Sequence, residues 1–270
     1  MLIATLLLSF SLNVINHGNI IIGILNTLLL FFSVYLYFKF SHQKLSFTKF
    51  PHQGFSLIIL IGAIPLFTRA NDILFILIAI GISLLTIFYL TTRFKKISIL
   101  IIVIYLITAS FYASGLIKPP FSFQINLLIF NDDWTNLYIT QMKTESQYMP
   151  YLIRSIIFNP SAHFYVMLSK IAGLFTLKNL YDALLIANIY PLVKGLTLDM
   201  KNRNKSKTFL IFCTLLISLS VVISRSVKID NTFILLSPFL IYFILRGLNS
   251  VNKKIYLAFF VISLFVAASP

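Results

Sequence analysis

The chain has little charge, and almost none of it is negative. Of 270 residues, 11% are charged, with 7 Asp and Glu against 22 Lys and Arg. Soluble domains carry about a quarter charged residues, so this composition excludes an ordinary soluble globule. A single cysteine, Cys213, excludes an internal disulfide and any Cys-rich metal site. Glycine is scarce (9) beside 27 Phe, and no Gly-xxx-Gly pair marks a helix-dimer face, so the helices are expected to pack through bulky side chains. The start, Met1-Leu2-Ile3-Ala4-Thr5, has neither a basic region nor a cleavage site, and reads as a first span, not a secretory signal. No P-loop, GxGxxG, GxSxG or HExxH signature occurs. No internal repeat suggests an inverted-repeat transporter, and the apolar runs are almost free of charge, which argues against an ion-coupled pump.

What the sequence does have is apolar runs. It is 59% hydrophobic, with mean hydropathy +0.93. That predicts an all-α protein, a polytopic bundle of transmembrane helices. The net charge of +15 would suggest nucleic acid in a soluble protein. Here the cations sit in short clusters between apolar runs, as orientation signals and contacts to anionic membrane lipids do, and no nucleic acid is expected. The runs are Leu2–Asn16, Ile20–Phe38, Phe55–Phe67, Ile73–Leu90, Ile97–Ile117, Ala183–Leu198, Phe209–Ser224, Thr232–Leu245 and Ile255–Ala268. The last run meets the chain end at Ala268-Ser269-Pro270 with no polar tail, the pattern of a truncated chain.

His163–Leu177 is the ambiguous stretch, apolar but short and carrying Lys170. If it does not cross, Lys39/Lys44/Lys49, Arg93/Lys95/Lys96, Lys201/Arg203/Lys205/Lys207 and Arg246/Lys253/Lys254 fall on one side, and Asp72, Asp132, Asp133, Glu145, Asp182 and Asp230 on the other. If it crosses, the most basic loop moves outside, against the positive-inside rule. The expectation is therefore about nine spans in a bacterial plasma membrane, amino terminus cytoplasmic. Four amino-terminal helices occupy 1–96, and the remaining core, 97–270, carries a large outer loop over 118–182. Interfacial helices are expected in that loop near Trp134–Thr144 and His163–Phe175, separated by Pro150 and Pro160.

The outer loop holds the candidate chemistry. Asp132 and Asp133 adjoin Trp134. Two neighbouring carboxylates in a low-dielectric cleft resist joint ionisation, so one can serve as a general base, or the pair can bind a divalent metal (Mg or Mn) through oxygen. The plain alternative is a solvated loop with a Trp anchor. Ser224-Arg225-Ser226-Val227-Lys228-Ile229-Asp230 follows a later run. Arg225 and Lys228 are suited to a phosphate, and Asp230 to orienting them; the alternative is snorkelling charge at helix ends. Arg154 is a second cation for the same anion, and His163 and Tyr165 open the second interfacial helix, His163 as a metal ligand or proton shuttle.

The order of these pieces, Asn131-Asp132-Asp133-Trp134, then Asn159-Pro160-Ser161-Ala162-His163-Phe164-Tyr165, then Ser224 to Asp230 before a further span, resembles the amino-terminal half of GT-C fold glycosyltransferases. The nearest branch is that of protein O-mannosyltransferases and aminoarabinose transferases. The resemblance covers about 97–270 and lies in order and spacing more than in motif. It implies an integral membrane enzyme that moves a sugar from a polyprenyl-phosphate donor to an acceptor at the outer face. Asp132 or Asp133 would be catalytic or metal-binding, and Arg225, Lys228 and Asp230 would lie near the donor phosphate. The chain departs from the family by its Asn-Pro-Ser-Ala-His sequence in place of Lys/His-Pro-Pro, by four additional spans before the loop, and by its shortness. An envelope-polysaccharide polymerase or flippase, and a non-catalytic transporter or membrane partner subunit, are the alternatives.

Overall fold

The structure, a computed structural model, describes residues 2–40, 53–68, 72–113, 117–118, 122–123, 133–201, 205–223 and 229–268. It is all-helical apart from a two-residue antiparallel ladder, β1 (Ile117–Lys118) with β2 (Ser122–Phe123). The first helices are α1 (Leu2–His17), α2 (Ile20–Phe40), α3 (Gln53–Gly62), α4 (Ile64–Thr68), α5 (Ile73–Thr91) and α6 (Lys95–Ala113). After the ladder come α7 (Asp133–Glu145), α8 (Tyr151–Leu174), α9 (Leu177–Ala183), α10 (Ile186–Lys201), α11 (Lys205–Ile223), α12 (Ile229–Gly247) and α13 (Lys253–Ala268). Two of these, α2 and α5, are long and apolar enough to cross a membrane, and shorter apolar stretches cover Leu2–His17, Ile58–Thr68 and Thr208–Ser218.

Helix ends follow local chemistry. Gly18, at φ 61°, reverses the chain after α1, its N–H closing on the Val14 carbonyl. The Asp72 carboxylate accepts the Leu74 N–H and starts α5. Lys95 Nζ reaches back to the Tyr89 and Leu90 carbonyls that end α5. Proline inside a helix removes one donor. In α12 the carbonyl that Pro238 leaves without its helical partner belongs to Ile234, and it accepts the Ser237 hydroxyl at 2.7 Å.

The core is built around α12. Every residue from Asn231 to Leu245 is buried, and the helix packs against α2, α5, α10 and α11. A helix apolar on all sides has this position by necessity. The outward faces of α1, α6 and α13 carry exposed large apolar side chains, including Ile15, Leu100, Ile104, Ile262 and Phe265. The ends of the helices are sorted. Tyr37 and Phe40 of α2 lie against Tyr242 near the end of α12. Tyr89 near the end of α5 meets Phe209 at the start of α11. His17, ending α1, donates from Nε2 to the Thr68 carbonyl that ends α4, at 2.7 Å.

Three expectations are corrected. The run Phe55–Phe67 is not one helix: it breaks at Ala63 between α3 and α4. Pro160 does not divide the loop, because α8 continues through it from Tyr151 to Leu174, whereas Pro150 does precede a helix start. Packing also uses glycine. A Cβ on Gly195 of α10 would run into the Phe243 carbonyl, and one on Gly247 of α12 into the Pro191 carbonyl. The α10–α12 crossing is thus a backbone-to-backbone approach that tolerates no side chain at either point.

Candidate functional site

The first candidate is the hairpin of α7 and α8. Tyr138 and Tyr165 stack with ring centroids 5.6 Å apart and planes 20° from parallel. Further along, Arg154 Nη1 donates to the Lys143 carbonyl at 3.0 Å. Residue 138 pairs with 165 and 143 with 154, so the two helices run antiparallel. Arg154 therefore ties the end of α7 to the start of α8, and its Nε is buried with no acceptor among the described residues. Tyr165 is 58% exposed, and Phe164, Leu168, Tyr151 and Leu152 are exposed with it. The hairpin rests on α11 and α9 through α8.

Of the residues singled out in the sequence, Asp133 opens α7 and His163 lies within α8, three residues before Val166. Asp132, Arg225 and Lys228 lie outside the described residues. Asp230 sits exposed in the first turn of α12. The structure thus unites Tyr138 with Tyr165 and Arg154 with the end of α7. It connects this hairpin to α12 through α11 and α9, each of which packs on both α8 and α12. Among the described residues no three His, Cys, Asp or Glu side chains come together as a metal site.

The second candidate comes from a residue the sequence reading passes over. Asp199, in the last turns of α10, is 1% exposed. Its Oδ2 accepts the Tyr242 hydroxyl at 2.7 Å, and its Oδ1 accepts Arg246 Nε at 3.1 Å. Tyr242 and Arg246 are four apart, so they project from one face of α12. The close crossing at Gly195 and Gly247 brings that face onto α10. An unpaired carboxylate at such a depth would cost several kcal/mol, and the two donors offset this. Phe40 and Phe243 pack on the Tyr242 ring, with centroids at 5.1 and 5.2 Å. The signal in sequence was an acid at the end of an apolar run, with a Tyr-x-x-x-Arg spacing two spans later.

A third polar cluster holds the break between α3 and α4. Asn188, fully buried, donates from Nδ2 to the Ile59 carbonyl at 2.9 Å and accepts the Tyr256 hydroxyl at 2.7 Å. The Leu185 N–H closes on the Gly62 carbonyl at 3.1 Å. The carbonyls released where the helix breaks are therefore satisfied by α10 and the turn before it. A Cβ on Gly62 would lie 2.8 Å from Asn188 Nδ2, so the approach needs glycine there.

No protein family, curated protein or solved structure matches this chain.

Proposed function

We propose that the chain is an integral membrane protein of about nine spans with its amino terminus inside, and that its outer face transfers a sugar from a polyprenyl-phosphate donor to an acceptor hydroxyl. The exposed apolar faces of α1, α6 and α13 support the membrane reading, since soluble proteins rarely expose contiguous apolar surface on this scale. The sorted helix ends support alternation. The ends of α2, α10 and α12 meet one another, as do the end of α5 and the starts of α6 and α11, and each of these ends adjoins Lys or Arg. In this arrangement α1, α2, α3 with α4, α5, α6, α10, α11, α12 and α13 cross, and α7 to α9 lie at the outer face.

The observation that carries the enzymatic reading is the α7–α8 hairpin. It starts at Asp133, directly after Asp132, and it rests on α11, whose end at Ile223 precedes Ser224-Arg225. In sequence, both motifs of the glycosyltransferase resemblance adjoin helices of this packed unit, which supports the reading. In the reaction the acceptor oxygen bonds to the anomeric carbon as the bond from that carbon to the donor phosphate oxygen breaks. The acceptor proton passes to Asp132 or Asp133, and the polyprenyl phosphate departs against Arg225 and Lys228. Arg154, His163, Tyr165 and Asp230 are the substrate-contacting group in this reading. A divalent ion on the Asp132–Asp133 pair would add counter-charge for the phosphate. The test is sugar transfer in reconstituted membranes with Asp132→Asn, Asp133→Asn and the double variant. Loss of transfer with normal insertion is expected; full transfer in all three would remove the reading.

One observation favours a flippase instead. The α3–α4 break, met by the turn that starts α10, has the form of a discontinuous helix at a transport site. A flippase would move labelled lipid-linked sugar across the bilayer with both aspartates replaced, and Asn188→Ala would abolish that movement.

A further inference from the structure

Arg246 holds Asp199 in an unusual way. The carboxylate takes the guanidinium through Nε alone, and its other oxygen is used by Tyr242. The fork of two Nη groups, the edge that grips carboxylate or phosphate with two parallel bonds, has no acceptor among the described residues. The Arg246 side chain is 31% exposed, while that of Asp199 is fully covered. One edge of the guanidinium is therefore fixed in the protein while the side chain stays partly exposed.

The surroundings are cationic. Lys201 follows Asp199 by two residues and is exposed. The turn Leu248–Ser250 packs on α10 and leads into α13, which opens with exposed Lys253 and Lys254. Lys39 lies in the last turn of α2, beside the Phe40 that packs on Tyr242. Five cations thus gather at one end of the bundle around one buried anion, which is already saturated by its own partners. Cations gathered this closely repel one another, and a doubly accepting anion relieves that repulsion.

We infer that this end of the α10–α12 seam is a binding site for the phosphate of an anionic membrane lipid, with Arg246 as the gripping residue and Asp199 and Tyr242 as the groups that hold its guanidinium in place. The inference rests on the membrane reading and not on the transferase activity. A pre-set guanidinium loses little side-chain freedom on binding, which is why the buried half of the pair matters to the exposed half.

The test uses the full chain in nanodiscs of phosphatidylcholine containing phosphatidylglycerol, with retained lipid counted by native mass spectrometry after extraction. Wild-type protein is expected to retain phosphatidylglycerol over phosphatidylcholine. Arg246→Lys keeps a cation for Asp199 but removes the fork, and is expected to lower that preference about fivefold. The double variant D199N/R246Q, which removes both charges together, is expected to abolish it. The surface variant K253Q/K254Q, at two exposed positions, is expected to weaken it. Displacement of the lipid by inorganic phosphate would support the site and assign recognition to the phosphate alone. Retention that resists phosphate but is lost in Arg246→Lys would support the lipid form. Equal retention of the two lipids by wild type, or an unchanged preference in folded Arg246→Lys and K253Q/K254Q, would overturn the inference. A failure of the membrane reading would show separately, as protein that stays in solution without detergent.

Discussion

The α10–α12 seam and the α7–α8 hairpin both hold charged and aromatic residues, but they hold them differently. At the seam, Asp199 is covered, doubly hydrogen bonded and clamped where two backbones meet at Gly195 and Gly247. In the hairpin, one stacked tyrosine pair and one Arg154-to-carbonyl bond join two helices whose other faces are largely exposed. The difference teaches that adjacency of charges in sequence is a poor guide to their structural weight. Asp132-Asp133 draws the eye because the two stand together. Asp199 stands alone, yet it anchors the helix pair at the centre of the fold. Removing parts of the seam should damage folding; removing parts of the hairpin should damage function and leave the fold standing.

The largest expected effect is at Gly195→Val. The added carbons meet the Phe243 carbonyl, a backbone group that cannot rotate away, so little folded protein should survive by fluorescence-detected size exclusion. Next is Asp199→Ala, which leaves Arg246 and the Tyr242 hydroxyl without their acceptor; a loss of about 3 kcal/mol in denaturant unfolding is expected. Asn188→Ala, which strands the Ile59 carbonyl and the Tyr256 hydroxyl, should cost about 2 kcal/mol on the same assay. Tyr138→Ala should cost less than about 1 kcal/mol globally while increasing proteolysis within 133–174, because an exposed ring pair contributes little beyond its own hairpin. Smallest in stability is Asp133→Asn, expected to leave unfolding unchanged while transfer is lost. Equal destabilisation by Tyr138→Ala and Asp199→Ala would dissolve the contrast between the two regions.

Much of the helix layout is legible in the sequence. The runs at Ile20–Phe38 and Ile73–Leu90 lie within α2 and α5, and Asp72, directly before the second run, is the cap of α5. A long apolar run leaves helix as the economical way to satisfy its backbone, so the pattern alone suffices. Breaks and continuities are harder. Pro65 is the local hint of the break at Gly62-Ala63, but the groups that stabilise it, Asn188 and the Leu185 N–H, lie more than a hundred residues away. Prolines mislead in the other direction. Pro160 reads as a boundary, yet α8 passes through it, as α10 and α12 pass through Pro191 and Pro238. At Pro238 the neighbouring Ser237 supplies the missing donor. The candidate site was legible only as motifs. That Arg154 ties α7 to α8, and that Asp199 meets Arg246, depends on helix packing that spacing does not encode.

The most direct test of the account is a cysteine-accessibility map in intact cells, with Cys213 replaced by Ala and single cysteines placed at Gln141, Lys178, Lys201 and Lys254. Labelling of Gln141 and Lys178 from outside, with Lys201 and Lys254 reached only from inside, is the predicted result. It would put the hairpin on one face and the Asp199–Arg246 seam end on the other. Labelling of Gln141 and Lys178 from opposite faces would contradict it, because α8 would then cross the membrane and the two glycosyltransferase motifs would no longer share a side.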